Sequence, residues 1–357
     1  MKAIVLVGGE GTRLRPLTLT QPKPAIRLVD RPFIRFMVDW LARHGIDEVV
    51  MACGFRAELL REALGDGSGG GPRISYVSEP EPLGTAGPIR LAADEGLLDG
   101  RFLALNGDVL TDLDLTALVR SHERNGAAAT LALYPVSDPS AYGLVRRTGG
   151  PAEPGADPAS ADGTVEEFLE KPDPAEIDTD EVSAGAYVLE PGVLDLIPGG
   201  QRVSIEHEVF PRLVGEGLYG HRLEGYWMDI GTPERYLQAS WDILEGVVET
   251  DVPRAADATL IDDRSEVSPE ATVGPRAVIA AECAVDSAAS VTSSVLDTGC
   301  RIGAGAAIEG SILARGVQVG AGATVPGGSV IGEGAVIEAG AGLEPEARVQ
   351  PAERVAA

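Results

Sequence analysis

Apolar residues are patterned in two different ways along this chain. From residue 1 to about 245, short apolar runs alternate with stretches at helical spacing. Ala3–Val7, Glu48–Ala52 and Phe102–Leu105 read as buried strands. Pro32–His44 sets Phe33, Phe36, Met37, Trp40 and Leu41 on one helical face before Gly45 closes it. Strands alternating with helices predict a Rossmann-like α/β domain, a mostly parallel sheet covered by helices. Ligands in such sheets sit beyond the carboxyl ends of the strands. Gly8–Leu14 and Asn106–Val109 fall there.

After Val252 the period changes. Val267, Val273, Ile279, Val285 and Val291 stand six apart, and the phase slips by one to Leu296. It continues through Ile302 and Ile308, slips again to Leu313, then runs Val319, Val325, Ile331, Ile337, Leu343 and Val349. Gly, Ala, Ser and Thr fill the steps between. One aliphatic residue in six suits neither an α-helix nor an ordinary strand. It predicts a triangular solenoid of about five coils, which resembles the hexapeptide-repeat left-handed β-helix. The expected organisation is an α/β domain over 1–246 and a β-helix over 247–357. Thr148–Gly163, rich in Gly, Pro, Ala and Asp and without a period, reads as a surface loop.

Composition narrows the function. Lys plus Arg number 29 and Asp plus Glu 55, a net charge of −26. Such a surface repels a phosphate backbone, so no nucleic acid is expected as partner. Cys53, Cys283 and Cys300 form no CxxC, which speaks against a disulfide framework or a zinc site and fits a reducing cytoplasm. No apolar run reaches membrane-spanning length, and Ala3–Val7 is too short for a signal segment, so no membrane association is expected.

Gly8-Gly9-Glu10-Gly11-Thr12-Arg13-Leu14 follows the first strand directly. Its glycines let backbone N–H groups approach a phosphate or a base. Arg13 adds a planar cation for phosphate oxygens. The loop has neither the GxGxxG spacing of dinucleotide folds nor the GKS/GKT ending of a P-loop. Lys23, between Pro22 and Pro24, has little backbone freedom and can be aimed at a phosphoryl group at small entropic cost.

The opening GGEGTRLRPLT…PKP resembles that of the nucleotidyltransferases that join a nucleoside triphosphate to a sugar 1-phosphate. The likeness extends over nearly all of residues 1–245, in order. Glu79-Pro80-Glu81-Pro82-Leu83-Gly84-Thr85-Ala86-Gly87-Pro88 is similar to the base-recognition loop, and Asn106-Gly107-Asp108 to the metal-binding segment. Tyr142-Gly143, Glu170-Lys171-Pro172 and Trp227-Met228-Asp229-Ile230-Gly231 are similar to the sugar-side segments. The LGTAGP loop, Ser204-Ile205-Glu206…Phe210-Pro211, YWMDIGTPE and the appended β-helix most resemble the mannose-1-phosphate guanylyltransferases.

The resemblance implies residue roles. Asp108 and Asp229 would hold Mg²⁺, which prefers carboxylate and phosphate oxygens. Arg13 and Lys23 would stabilise the triphosphate as pyrophosphate leaves. The nucleotide would also meet Leu6, Gly8, Gly9, Gly11, Thr12, Glu79, Pro82, Gly84, Thr85 and Gly107. Lys171 would clamp the sugar phosphate, with Glu170, Gly143 and Ser183 on the sugar. Relatives often carry Asn in the Ser183-Ala184-Gly185-Ala186-Tyr187 segment, and the shorter serine bears on sugar choice. Glu79 stands at the base-reading position. A carboxylate only accepts hydrogen bonds, and guanine offers two adjacent donors, so GTP is favoured.

The expected substrates are therefore GTP and mannose 1-phosphate. The alternatives are dTTP or UTP with glucose 1-phosphate, or a broad-range enzyme. A non-catalytic regulatory paralogue should lack a catalytic group, yet Arg13, Lys23, Asp108, Lys171 and Asp229 are all present. Acyl transfer by the β-helix would call for a histidine base. His44, His122, His207 and His221 all precede the repeat. A homo-oligomer built through the β-helix is expected instead.

Overall fold

Ala3, Ile4 and Val5 of the first strand, Lys2–Leu6 (β1), have no solvent exposure, which demands a strand on each side and cover on both faces. The computed structural model supplies both; it describes residues 1–54, 56–68, 70–149, 161–255 and 257–357. The further strands of the sheet are Glu48–Cys53 (β2), Arg73–Ser78 (β3), Phe102–Asn106 (β4) and Ala129–Pro135 (β5). Gly143–Arg147 (β6), Asp162–Glu170 (β7), Glu181–Leu189 (β8) and Leu218–Arg222 (β9) complete it. Their spatial order is β3-β2-β1-β4-β8-β5-β9-β7-β6.

The first four strands pair in parallel, as expected. Beyond β4 the sheet is mixed. β8 runs antiparallel to both β4 and β5, β9 is parallel to β5, and β7 is antiparallel to β9 and β6. The reason lies in the connections. A parallel neighbour needs a long crossover, usually a helix. Between β5 and β8 the described residues form no α-helix, only the strands β6 and β7 and the short 3₁₀ turns Pro139–Ala141 and Pro174–Glu176.

The helix expected over Pro32–His44 spans Phe33–Arg43 and buries Phe33, Phe36, Met37, Trp40 and Leu41. Trp40 donates its indole N–H to Leu113 O at 2.9 Å. Leu115–Asn125 begins where the Asp114 carboxylate accepts Ala117 N–H at 3.0 Å, and stops at left-handed Gly126. The loop expected over Thr148–Gly163 is shorter than that at its far end. Residues 150–160 lie outside the described residues, and Asp162 and Gly163 already belong to β7. Asp162 is anchored there by Ser121 Oγ and His221 Nδ1, each at 2.6 Å.

Contacts divide the chain into two compact units. One comprises Met1–Gly8 and Met37–Trp227, the other Gly9–Phe36 and Met228–Ala357. The sheet belongs to the first. The second contains the solenoid, whose coils form three parallel sheets. One vertical ladder runs Ile261, Ile279, Leu296, Leu313, Ile331, Val349. The second runs Val267, Val285, Ile302, Val319, Ile337, Val355. The hexad slips at Leu296 and Leu313 shorten two coils by one residue each. The ladder nevertheless stays in register. Ser294 and Ser311 stack at one corner, where Ser311 N–H donates to Ser294 Oγ at 3.0 Å.

Among the described residues the three cysteines are free and buried, and no helix is long and apolar enough to cross a membrane.

Ile302 sits between Val285 and Val319 and is 1% exposed. Ile302→Ala should destabilise the solenoid by about 2–5 kcal/mol, the usual cost of an aliphatic cavity. Urea unfolding followed by circular dichroism measures it.

Candidate active site

The carboxyl ends of β1 and β4 approach each other so closely that side chains must be absent. Gly107 N–H donates to Leu6 O at 2.9 Å. A Cβ on Gly107 would lie 2.8 Å from that oxygen and collide with Val7. Asp108 follows immediately, at the rim of the strand ends. A Cβ on Gly8 would lie 2.7 Å from Glu79 Oε1, so the bare glycine lets that carboxylate settle over the backbone. Glu79 Oε2 accepts Leu83 N–H at 2.8 Å. Burial raises the Glu79 pKa above the ordinary carboxylate range, and the Leu83 N–H only partly offsets this.

Residues after Glu79 are stapled to Val203–Glu206. Val203 N–H donates to Leu83 O and Ala86 N–H to Val203 O, at 3.0 and 2.9 Å. Gly84, at φ 79°, lies against Val203, where a Cβ would strike the Val203 carbonyl. Thr85 Oγ1 donates to Glu206 Oε2 at 2.6 Å and accepts Ile205 N–H at 2.8 Å. Thr85 was expected on the nucleotide; its hydroxyl anchors the loop. Pro82 is exposed beside it. Glu206 also accepts from Ser204 Oγ at 2.8 Å. Sequence reasoning missed Glu206 as a functional residue, although its Ser-Ile-Glu motif carried part of the resemblance.

The expected sugar-side residues meet through strand register. Gly143 of β6 faces Glu170 of β7. A Cβ on Gly143 would come within 2.5 Å of the Phe168 ring and 3.1 Å of Glu170 Oε2. Burial, then the charge of Glu206, raises the Glu170 pKa, and Lys171 works against this. Lys171 has a left-handed backbone, φ 51°, with its N–H on Tyr142 O at 3.0 Å and its Nζ 3.7 Å from Glu170 Oε1. That backbone costs a side-chain-bearing residue about 1–2 kcal/mol. It turns the ammonium outward, 69% exposed. Ser183 opens an irregularity in β8 and holds Tyr187 Oη at 3.3 Å. Within it Gly185, at φ 72°, lies where a Cβ would be 2.8 Å from Asn106 Nδ2.

In the other unit, the expected triphosphate residues surround one carboxylate. Gly11 is left-handed, φ 61°, and a Cβ there would press on Thr18 and Lys23, at 2.9 and 3.0 Å. Thr12–Leu14 then forms a 3₁₀ turn. Nothing lies within 4 Å of a Cβ at Gly9, so that backbone is open to a ligand. Asp229 has Lys23 Nζ at 3.8 Å, Arg13 Nη2 at 3.9 Å and Arg235 Nη1 at 3.2 Å. Gly231 makes room for Arg13, whose Nη2 would be 2.6 Å from a Cβ there. Arg235 was not foreseen. It stands in the helix Pro233–Glu245, whose start Thr232 caps by accepting Arg235 N–H. One carboxylate among three cations leaves a local surplus of positive charge, suited to a polyphosphate.

Residues 2–246 match the family described as Nucleotidyl transferase, and the chain belongs to that family. Residues 255–356 match the GMPPB C-terminal domain. A Mycobacterium tuberculosis protein named mannose-1-phosphate guanylyltransferase is 40% identical over 274 residues, 75% of this chain and 72% of the relative. Mannose-1-phosphate guanylyltransferase 1 of Arabidopsis thaliana is 36% identical over 298 residues, 80% of this chain and 78% of the relative. A mannose-1-phosphate guanyltransferase of Yarrowia lipolytica is 40% identical over 245 residues, 67% and 63% of the respective chains.

Gly84→Ala should lose about 1–3 kcal/mol of stability, the cost of a side chain in a strained backbone position. It should also raise the nucleotide KM, since the loop must leave Val203. A thermal melt and steady-state kinetics read the two effects.

Proposed function

We infer that the protein transfers a guanylyl group from GTP to mannose 1-phosphate, releasing pyrophosphate and giving GDP-mannose. The observation that carries the reaction class is the Asp229 cluster, a concentration of positive charge in a chain of net charge −26. The choice of substrates rests on the relatives' shared name and on Glu79. Those names do not favour dTTP or UTP with glucose 1-phosphate.

A sugar-phosphate oxygen attacks the α-phosphorus in line. The new P–O bond forms as the bond to the pyrophosphate oxygen breaks, without a covalent enzyme intermediate. Arg13 and Lys23 oppose the charge that grows on the leaving pyrophosphate. The backbone of Leu6, Gly8, Gly9, Gly11, Thr12, Gly84 and Gly107, with Pro82, lines the nucleotide. Lys171 holds the sugar phosphate, while Glu170, Gly143 N–H and Ser183 bind the sugar. Glu79 accepts from the guanine N1–H and 2-amino groups. Oε2 already takes Leu83 N–H, so Oε1 carries most of that reading.

Mg²⁺ fits this donor set. Among the described residues no three His, Cys, Asp or Glu side chains converge on a point. Mg²⁺ at phosphate sites needs only one or two carboxylates, with phosphate oxygens and water completing its shell. Asp108 and Asp229 are the ligands we assign. When bound, the ion neutralises phosphate charge and orients the α-phosphate. We place the enzyme in the cytoplasm, as a homo-oligomer assembled through the β-helix.

Pyrophosphate release, measured over a grid of GTP, dTTP, UTP, ATP and CTP against mannose 1-phosphate and glucose 1-phosphate, should peak at GTP with mannose 1-phosphate. A peak at dTTP or UTP with glucose 1-phosphate would overturn the substrates. Glu79→Gln should weaken GTP use more than UTP or dTTP use. The ionised carboxylate is the acceptor and its pKa is raised, so the wild-type GTP KM should climb on acidification while the pH is still above the ordinary 4.5. Glu79→Gln should remove that dependence.

Asp108→Asn and Asp229→Asn should each reduce kcat by roughly 100-fold or more, on the scale of losing an electrostatic group at a transferring phosphate. Both should also weaken Mg²⁺ binding, read by titration calorimetry of the nucleotide-bound protein.

A further inference from the structure

We propose that Asp297 of the β-helix is a positioning residue for the transfer: by holding Arg27, it fixes the segment that carries Lys23 and Arg13. The inference rests on the roles of Lys23 and Arg13 given above.

Gly9–Phe36 has little regular structure of its own. It consists of the 3₁₀ turns Thr12–Leu14, Leu17–Leu19 and Lys23–Ala25, then a ribbon pairing Arg27–Leu28 with Arg31–Pro32. Single turns of this kind are too short to hold an orientation unaided. Support must come from elsewhere, and it converges on Arg27. Arg27 O accepts the hydroxyl of buried Tyr236 at 2.6 Å. Its Nε donates to Asp297 Oδ1 at 3.1 Å, and its Nη1 to Asp30 O across the ribbon. Lys23 is tied to this anchor at close range, because Ile26 N–H donates to Lys23 O at 3.2 Å.

Asp297 is itself firmly held. It follows Leu296, a fully buried member of the aliphatic ladder. Its Oδ1 accepts Thr298 N–H at 2.7 Å, and its carbonyl accepts the Cys283 thiol at 3.2 Å. The pair is largely shielded, Arg27 being 27% and Asp297 15% exposed. Other ion pairs, such as Arg264 with Asp262 and Arg354 with Glu338, stay within the solenoid. Arg27 and Asp297 lie 270 positions apart in sequence. Nearby, Arg31 binds Asp251 at 2.8 Å, a second tie on the same ribbon. The β-helix is therefore the fixed wall against which the triphosphate-binding segment is set.

A displacement of about 1 Å in a charge-stabilising group costs up to roughly 100-fold in rate. Loss of one brace of several should cost less. The experiment compares full-length wild type, Asp297→Asn, Arg27→Gln, the double variant and Asp297→Glu. Kinetics in both substrates, thermal melting and gel filtration are recorded for each. The expected result is a kcat reduced about tenfold in each neutral single variant, with the mannose 1-phosphate KM within about twofold of wild type. The double variant should be no worse than the poorer single, the mark of one shared interaction. Asp297→Glu should recover part of the rate. Unchanged kcat in Asp297→Asn, or losses that multiply in the double variant, would overturn the proposal. So would a loss of rate that appears only with a lowered melting point and that Asp297→Glu does not recover. A wild type that releases no pyrophosphate from GTP and mannose 1-phosphate would sink the functional reading first, and this proposal with it.

Discussion

Asp229 faces Lys23, Arg13 and Arg235 within 4 Å. The carboxylate keeps three like charges together where they would otherwise repel one another, and much of the surrounding sequence serves that end. Gly231 gives Arg13 its place, Gly11 lets the chain turn back onto Lys23, and the cap at Thr232 starts the helix that presents Arg235. The cations differ in freedom. Lys23 is 11% exposed and enclosed by its neighbours, whereas Arg13 is 64% exposed and reaches into solvent. A preset charge costs no reorganisation during reaction, and a mobile one can track the leaving group.

The nucleotide side relies on a different constraint, the closeness of backbone to functional group. At Gly107, Gly8 and Gly84 a methyl group would intrude on a neighbouring strand, a carboxylate or a carbonyl. The sheet sets these separations, so the site inherits its precision from hydrogen-bonded strands. Thr85, Ser204 and Glu206 then tie the base loop to a distant stretch of chain. The charge of Glu206 is felt at Glu170. The loop after Glu79 and the strand end that carries Glu170 thus share one electrostatic neighbourhood.

The solenoid could be read from the sequence because each of its faces admits one large side chain per step. A single residue type at a fixed interval therefore reports the whole geometry. β1, β2 and β4 were legible for a similar reason, each being apolar but for one terminal residue. The antiparallel half of the sheet was not. Strand direction depends on how chain ends connect, and an apolar run such as Ala129–Leu133 looks alike in either direction. In the site, glycines and charged motifs pointed to Gly8, Glu79, Asp108, Glu170 and Asp229. Glu206, Arg235 and Asp297 escaped because the sequence does not show the partners they meet: Thr85, the Asp229 carboxylate and Arg27. Nothing in LGTAGP shows that the Thr85 hydroxyl goes to Glu206 and the Ile205 N–H.

Within a solenoid each coil touches only the coil above and the coil below, so damage spreads from an end. Leu296, and Asp297 beside it, occupies the third of six rungs in its ladder. Three rungs, those of Leu313, Ile331 and Val349, must peel away on the far side before that coil becomes an end. Loosening of the Ile331 and Val349 rungs would still leave Leu296 paired on both sides, with Ile279 and Leu313.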